Sequence, residues 1–216
     1  MPRHAAMVID GRPQPTTGVS MSQPLARNAL DQAFFEARTA HKFTDQPVTD
    51  ETLHALVDLC KWGPTSLNCQ PMRLVFVRGA DAKARLAPTL SGSNRDKTLA
   101  APVTVIVAYD REFHERLPEL FPAFDARGVF AKAPELIEPS ARTSATLQAG
   151  YLILAARALG LDAGPMTGFD ADAVDQAFFA DKRLHSLLLV NLGYGVREGA
   201  APRGPRLAFD EVAHIV

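Results

Sequence analysis

The amino-acid sequence predicts an α+β domain in which helices cover a sheet. Apolar residues make up 47% of the 216 residues and charged residues 22%, a balance typical of a folded globular protein. Short β-rich apolar runs and segments with helical periodicity follow one another without a regular βαβ alternation, which favours an α+β architecture. No apolar run approaches the roughly 18 residues that a membrane span requires.

Residues 1–24 differ in composition from the rest of the chain. They contain no Leu and no aromatic residue, but four prolines. Such a segment cannot bury enough apolar surface to order itself. The sequence therefore predicts a disordered N-terminal extension over 1–24 and a single domain over 25–216. Met21 is an alternative start, so whether the first residues are translated in the cell stays open.

The first two predicted elements are helices. Four apolar residues recur at helical spacing within about 26–38: Leu30, Ala33, Phe34 and Ala37. A second helix begins after Thr49, whose hydroxyl favours the N-cap, with Val48 placed to pack on Leu53. Gly63-Pro64 ends it.

The strands and remaining helices follow from β-rich runs and caps. Strands are predicted over 73–77, 103–109 and 186–194, with a short helix over "NRDKTLAAP" and a strand or turn at "LDAGPM". A long helix starts at Ser140 and ends at Gly160. It is apolar nearly all round, which indicates a protein core or a subunit interface. Asp170 caps a helix to about Phe179, and the tail is a loop with one short helix.

Charge and cysteine content exclude several classes of protein. The net charge of −1 gives no basic field for nucleic acid and no polybasic patch for membranes. Cys60 and Cys69 make neither a metal-ligand spacing nor a disulfide framework. Cytoplasm is therefore the expected compartment.

Three common kinds of site receive little support. The glycines of "GYGVREG" are spaced too widely for a dinucleotide fingerprint, and no helix can follow promptly. The six histidines show no pair at helical metal-ligand spacing, so no metal site is predicted. Cys69 and Ser66 are weak candidates for a nucleophile, because no nucleophile elbow surrounds them.

Polar clusters at chain breaks remain. They lie at residues 38–42, 64–68 and 163–170, and a late loop carries Arg203 and Arg206. Each cluster alone is typical of a turn, a cap or solvated cations. Together they could hold one ligand, because Arg and Thr suit a phosphate dianion and small hydroxyls and an amide can contact a ring edge.

These segments, in this order, resemble the FMN-dependent nitroreductase family from about residue 25 to the C-terminus. The resemblance rests on "KWGPTSLNCQP", "ARTAHKF", "NRDK", "RALGLDAGPMTGFD" and the late arginine loop. It implies a nitroreductase-like α+β fold with a mostly antiparallel central sheet, an intertwined homodimer and two shared FMN sites. The segments are most similar to the malonic semialdehyde reductases of the family.

The resemblance also implies a role for each matched residue. Arg38, Thr39 and Arg203 would hold the FMN phosphate, and His41, Asn94 and Lys97 would lie at the pyrimidine edge. Pro165, Thr167 and Gly168 would pack along the ring near N5. The partner subunit would supply Pro64, Thr65, Ser66 and Asn68. No side chain need act as a catalytic acid or base, because the flavin carries the chemistry.

The implied activity is electron transfer from NADH or NADPH through FMN to a small acceptor. The acceptor could be malonic semialdehyde, giving 3-hydroxypropanoate, or a nitroaromatic or quinone. The sequence decides neither the nucleotide nor the acceptor. Many relatives have cations where this chain has Ala37 and Ala201, so Arg206 is expected to compensate. That difference leaves open a flavin-binding protein without turnover, for storage or sensing. A structural dimer without a ligand is a third possibility.

Overall fold

The computed structural model describes residues 23–197 and 202–216. The predicted disordered extension lies almost wholly outside these residues, as does Ala201. No helix of the described part is both long enough and apolar enough to cross a membrane. The α-helices are α1 (Arg27–Leu30), α2 (Asp50–Cys60), α3 (Ala80–Leu86), α4 (Asn94–Ala100), α5 (Leu117–Leu120), α6 (Ala126–Lys132), α7 (Ile137–Ala158), α8 (Ala171–Phe178) and α9 (Phe209–Val212).

The strands are β1 (Met72–Val77), β2 (Val103–Asp110), β3 (Asp162–Met166) and β4 (Leu184–Gly193). They form a sheet in the order β1-β2-β4-β3. All three strand pairings are antiparallel, which confirms the expected α+β architecture and the mostly antiparallel sheet.

The sheet is covered on both faces. Val105 and Val107 of β2 pack in the cluster of α2 and α7, whereas Ile106 and Ala108 pack in the cluster of α3 and α8. This alternation follows from the two-residue period of a strand. All eight residues of β2 are buried. Six of them are apolar, and the other two are Thr104 and Asp110.

The predicted caps are confirmed. Thr49 Oγ1 accepts from Thr52 N at 3.2 Å, and Asp170 Oδ1 accepts from Ala173 N at 3.0 Å. Gly160 has a φ of +79° and follows α7, where its N–H donates to Arg157 O. A left-handed glycine of this kind is a common helix end.

Three predictions of local structure were wrong. α1 is shorter than predicted and continues as one wider π-helical turn over Asp31–Phe35, leaving Phe34 48% exposed. α7 begins at Ile137 rather than Ser140, because Pro139 fits the first turn of a helix. The segment between β2 and α7, where no element was predicted, holds α5 and α6, and Pro118 lies in the first turn of α5.

Candidate functional site

The C-terminal end of the first helix carries a cluster of arginines. Arg38 Nη1 donates to Ala37 O at 2.9 Å and to Phe35 O at 3.3 Å. Arg203 Nη2 donates to Phe35 O at 2.7 Å and to Ala37 O at 2.8 Å. Carbonyls at a helix C-terminus carry partial negative charge and attract cations. Both guanidinium groups are therefore held at the turn that leads into Thr39.

Backbone carbonyls do not neutralise these charges. Partial loss of hydration and the charges of Arg38 and Arg206 lower the pKa of the Arg203 guanidinium. Among the described residues, no carboxylate forms a salt bridge with Arg38, Arg203 or Arg206. All three side chains belong to exposed residues. The cluster is thus positive, accessible and suited to an anion.

Thr39 lies beside this cluster at the edge of the sheet. It forms an isolated parallel bridge with Ala163 of β3, and Ala40 N donates to Ala163 O at 3.0 Å. Gly164 permits this close approach, because a Cβ there would lie 2.5 Å from Ala40 O. The segment from Arg38 to His41 is consequently fixed along β3, and Thr39 and His41 remain exposed.

A second part of the site follows β3. The Gly168 carbonyl accepts from Ser91 Oγ at 2.7 Å and from Asn94 Nδ2 at 3.0 Å. A Cβ on Gly168 would lie 2.6 Å from Asn94 Nδ2. This junction joins the start of α4 to the segment with Pro165 and exposed Thr167. Lys97 lies one turn further along α4 and is half-buried.

The Lys83 side chain of α3 supports the C-terminal end of α4. The sequence did not indicate this role. This buried lysine donates to Thr98 O at 2.9 Å, to Leu99 O at 3.1 Å and also to Ala101 O. Burial lowers the pKa of its ammonium group. The ammonium group bonds carbonyls at the C-terminal end of α4. It therefore helps to hold in place the helix that carries Asn94 and Lys97.

The loop between α2 and β1 is a separate polar region. Leu67, Asn68 and Gln70 have φ angles of +52°, +50° and +40°. A left-handed conformation costs roughly 1–2 kcal/mol for an ordinary L-residue and less for Asn. The loop is held by its own bonds, since Thr65 Oγ1 accepts from Gln70 N at 3.2 Å. Ser66 N also donates to Ser144 Oγ of α7 at 3.4 Å.

Some predicted contact residues in this loop are already engaged. Asn68 Nδ2 donates to Leu120 O at 2.9 Å, and its Oδ1 accepts from Gln70 Nε2 at 3.0 Å. The Thr65 hydroxyl accepts from Gln70 N, whereas Pro64 and Ser66 are exposed.

The Cys69 thiol is a poor nucleophile in this loop. Burial raises the pKa of the Cys69 thiol, which disfavours the thiolate that nucleophilic attack requires.

The loop and the arginine cluster lie far apart within one chain. β1 and β3 are opposite edges of the sheet, roughly 14 Å apart at the usual strand spacing. Met72 pairs with Tyr109, and Tyr109 pairs with His185. Ala163 pairs with Leu192, seven positions later on β4, or roughly 23 Å along the strand. At the β3 edge the structure places most of the predicted contact residues: Arg38, Thr39, Asn94, Lys97, Pro165, Thr167, Gly168 and Arg203, with Arg206 near Arg203. The other predicted contact residues lie in the loop before β1, at the opposite edge: Pro64, Thr65, Ser66 and Asn68.

Two further arginines reach the same helix end. Arg157 Nη1 donates to Ala33 O at 2.8 Å, and Arg197 Nη1 donates to Glu36 O at 3.1 Å. Arg157 is separated from Ala33 by 124 positions, so no local pattern shows the contact. Ala37 is 7% exposed. The small residue at this position is therefore packed in the protein. Of the two further arginines, Arg197 also pairs with Asp162 at 3.3 Å.

The comparisons with known proteins agree on one family. The model of the nitroreductase family matches residues 36–194. A "Putative NADH dehydrogenase/NAD(P)H nitroreductase" of Rhodopseudomonas palustris (strain TIE-1) is 55% identical over 196 residues, covering 91% of this chain and 100% of the relative. A protein with the same description from Burkholderia lata is 58% identical over 191 residues, covering 88% of this chain and 98% of the relative.

Solved structures show the same fold at lower identity. The crystal structure of a putative nitroreductase from Bacillus subtilis has a TM-score of 0.78 and 22% identity, covering 88% of this chain and 100% of that chain. One from Exiguobacterium sibiricum, in complex with FMN, has a TM-score of 0.74 and 20% identity, covering 90% of this chain and 100% of that chain.

Proposed function

The chain belongs to the nitroreductase family, and from this premise we propose that it is an FMN-dependent NAD(P)H oxidoreductase working as a homodimer. The observation that carries the proposal is the positive cluster of Arg38, Arg203 and Arg206 beside Thr39. Guanidinium groups and a hydroxyl are the donors that a phosphate dianion needs. The cluster therefore fits the phosphate end of FMN.

The rest of the β3 edge fits the remainder of FMN. Asn94 and Lys97 offer an amide and a cation to the pyrimidine edge, with His41 as a further donor. Pro165, Thr167 and Gly168 present small side chains and backbone to the ring. Gly168 carries no Cβ, which leaves room for Asn94 and Ser91 to bond its carbonyl. Bound FMN would supply hydride acceptance and donation.

The separation of the two polar regions supports the proposed dimer. One chain cannot place the loop with Pro64, Ser66 and Asn68 beside its own arginine cluster without crossing the sheet. A second copy can supply that loop, and two-fold symmetry then makes two equivalent sites. Trp62, Leu147 and Tyr151 are 61%, 50% and 42% exposed. Apolar side chains exposed next to a polar loop are typical of a surface that binds another protein.

The residues of this chain position the reactants and provide charge. Arg38 and Arg203 anchor the phosphate, and Lys97 favours negative charge near the pyrimidine edge. The nucleotide donor and the acceptor use one open face in turn, so the first product leaves before the second substrate binds. This order predicts ping-pong kinetics, and intersecting double-reciprocal lines would contradict it.

The acceptor that we propose is malonic semialdehyde, reduced to 3-hydroxypropanoate. The support is the similarity of "KWGPTSLNC" and "ALGLDAGPMTGFD" to the malonic semialdehyde reductases of the family. Steady-state assays with malonic semialdehyde, a nitroaromatic and a quinone test this choice. A higher kcat/KM for the aldehyde supports it, whereas a higher value for either alternative replaces it without affecting the proposed cofactor.

A visible absorption spectrum tests the activity. The purified chain, supplied with FMN, should show a bound-flavin spectrum that bleaches when NADH or NADPH is added anaerobically. A bound flavin that stays oxidised with both nucleotides would contradict the oxidoreductase and favour a flavin-binding protein for storage or sensing. Protein that ignores added FMN would contradict the cofactor assignment.

Mixed dimers test whether the two regions meet across subunits. Arg203→Ala removes the phosphate anchor and Ser66→Trp obstructs the loop. In a mixed dimer both changes fall on one site, and the other site is native. Activity should return when the two inactive variants are refolded together. No recovery, with mixed dimers demonstrated by mass, would show that each chain builds its own site.

A further inference from the structure

A cavity of about 370 Å³ lies between α8 and the start of β4. Asp172 and Asp175 of α8 and His185 of β4 line it. None of the residues assigned above to the cofactor contributes to its wall. Its chemistry is therefore independent of the proposed flavin site.

The three side chains converge on one point. Asp172 and Asp175 are three positions apart on α8, so they lie on the same side of the helix. One ligand atom from each of Asp172, Asp175 and His185 lies within 4.8 Å of the other two. An ion with ligand bonds of about 2.1 Å needs ligand atoms roughly 3.4 Å apart. Binding an ion therefore requires side-chain rotations that bring the three ligand atoms to that spacing.

Neighbouring groups hold two of these ligands in place. Asp175 Oδ1 accepts from Ser186 N at 2.9 Å and from Ser186 Oγ at 2.6 Å. The His185 ring meets Tyr109 edge to face, with centroids 5.3 Å apart. Metal sites characteristically fix their ligands by such outer hydrogen bonds and packing. The arrangement therefore resembles a supported coordination site.

An ion pair explains only part of the arrangement. His185 Nδ1 lies 2.6 Å from Asp175 Oδ2, and this contact satisfies those two groups. It does not account for Asp172, whose carboxylate accepts no hydrogen bond within the described ranges, or for the adjoining cavity. Arg111 and Lys182 also line the cavity, but both residues are exposed, so solvent and salt screen their charges.

We propose that Asp172, Asp175 and His185 bind a divalent transition-metal ion of the Zn²⁺ type, whose open coordination positions face the cavity. An imidazole with two carboxylates suits Zn²⁺ and its neighbours better than Mg²⁺, which prefers oxygen ligands alone. The ion takes the place of the hydrogen bond between Asp175 and His185. The sequence predicted no metal site, because His185 lies ten positions from Asp175 and only folding brings them together.

Calorimetric titration of the full chain with Zn²⁺ tests the site. We expect one ion per chain at this site, Mg²⁺ binding far more weakly, and a raised melting temperature with Zn²⁺. Asp172→Asn and His185→Gln should each weaken Zn²⁺ binding by about tenfold or more, because even an outer-shell loss has that effect. Asp172→Asn is the safer variant, since it removes no hydrogen bond of the described structure.

The controls are exposed residues of the same types away from the cavity. His54→Gln and Asp81→Asn should leave Zn²⁺ affinity unchanged. The proposal is overturned if Asp172→Asn and His185→Gln bind Zn²⁺ as the unmodified chain does, or if the controls lose it equally. It is also overturned if the unmodified chain fails to bind Zn²⁺, or binds Mg²⁺ as tightly.

Discussion

Two regions of this protein gather arginines, and they differ in what faces the positive charge. Arg73 and Arg183 each donate to Asp110 at 2.7 Å, and the Asp110 side chain is fully buried. Arg38 and Arg203 instead donate to backbone carbonyls at the end of the first helix. The first group joins the ends of β1, β2 and the turn before β4. The second leaves its charge facing solvent.

The difference separates a structural role from the binding role that we propose. A cation whose charge is matched by a buried carboxylate is already satisfied and contributes to folding. A cluster that carries net positive charge repels itself, and the charges of Arg38 and Arg206 add to partial loss of hydration in lowering the pKa of Arg203. Adding a dianion relieves that repulsion, so the second region gains from a ligand and the first does not. Substitutions in the two regions should therefore change different measurements.

Asp110→Asn should have the largest effect, on stability. It leaves Arg73 without a charged partner and Arg183 with only the exposed Glu112 at 3.4 Å. It also turns an amide towards their donors, so we expect a loss of about 2–4 kcal/mol in the free energy of unfolding. Chemical denaturation measures this. Asp58→Asn is the matched control, because Asp58 is an exposed partner of Lys61 and should cost less than about 1 kcal/mol.

The stability difference between the native chain and Asp110→Asn should depend on pH. Burial alone would raise the pKa of Asp110, but hydrogen bonds from Arg183 and Glu112 N and the charges of Arg73 and Arg183 outweigh it and lower the pKa. Folding therefore gains stability above the unfolded value of about 3.9. The difference between the native chain and Asp110→Asn should shrink as the pH falls through the folded pKa. An unchanged difference at acid pH would contradict the ion-pair explanation.

Arg38→Ala should lower FMN affinity by about 10–100-fold, the range for losing a hydrogen bond to a charged group. Its effect on unfolding should stay below about 1 kcal/mol, because the two carbonyls that it bonds, Phe35 O and Ala37 O, also accept from Arg203. Flavin fluorescence titration and a melting curve give the two values. A large loss of stability with FMN affinity unchanged would place Arg38 in the structural class with Arg73.

Lys83→Met tests a third kind of cation, one that is buried and bonded only to backbone carbonyls. It should cost about 1–2 kcal/mol, since Thr98 O, Leu99 O and Ala101 O each lose a charged donor. FMN affinity should fall only through displacement of α4, hence less than in Arg38→Ala. Lys83→Arg keeps the charge and should recover part of the stability. An effect on FMN that exceeds that of Arg38→Ala would be inconsistent with this support role.

Arg206→Ala should have the smallest effect, at most several-fold in FMN affinity. Arg206 Nη1 donates to Gly204 O and Pro205 O of its own loop. Its charge contributes to the lowered pKa of Arg203. If FMN affinity is unchanged, Arg206 does not compensate for the cations that the family resemblance led us to expect at Ala37 and Ala201. Arg157 would then be the better candidate for that role.

Local signals in the sequence predicted the parts of the fold that local chemistry determines. Thr49 and Asp170 cap their helices with their own side chains, and the β-rich run of β2 is buried throughout. α3 was missed because Gly79 precedes it without a capping hydrogen bond. The sheet order and its register depend on pairings between distant residues, which no local pattern contains.

The candidate site shows the same limit. Arg38, Thr39 and Arg203 were selected by residue type and resemblance, and the fold brings them to one edge. Arg157 and Lys83 were missed because their contacts are to backbone carbonyls far along the chain. The predicted roles of Pro64 and Ser66 depend on a second subunit, and they stay predictions.

The most direct test of the central claim compares FMN with riboflavin, which lacks the phosphate, in the native chain and in Arg203→Ala. The native chain should bind FMN more tightly than riboflavin. Arg203→Ala should lose most of that preference while its riboflavin affinity stays nearly constant. Equal binding of the two flavins by the native chain, or a preference that survives Arg203→Ala, would contradict the assignment of the uncompensated arginines to a phosphate.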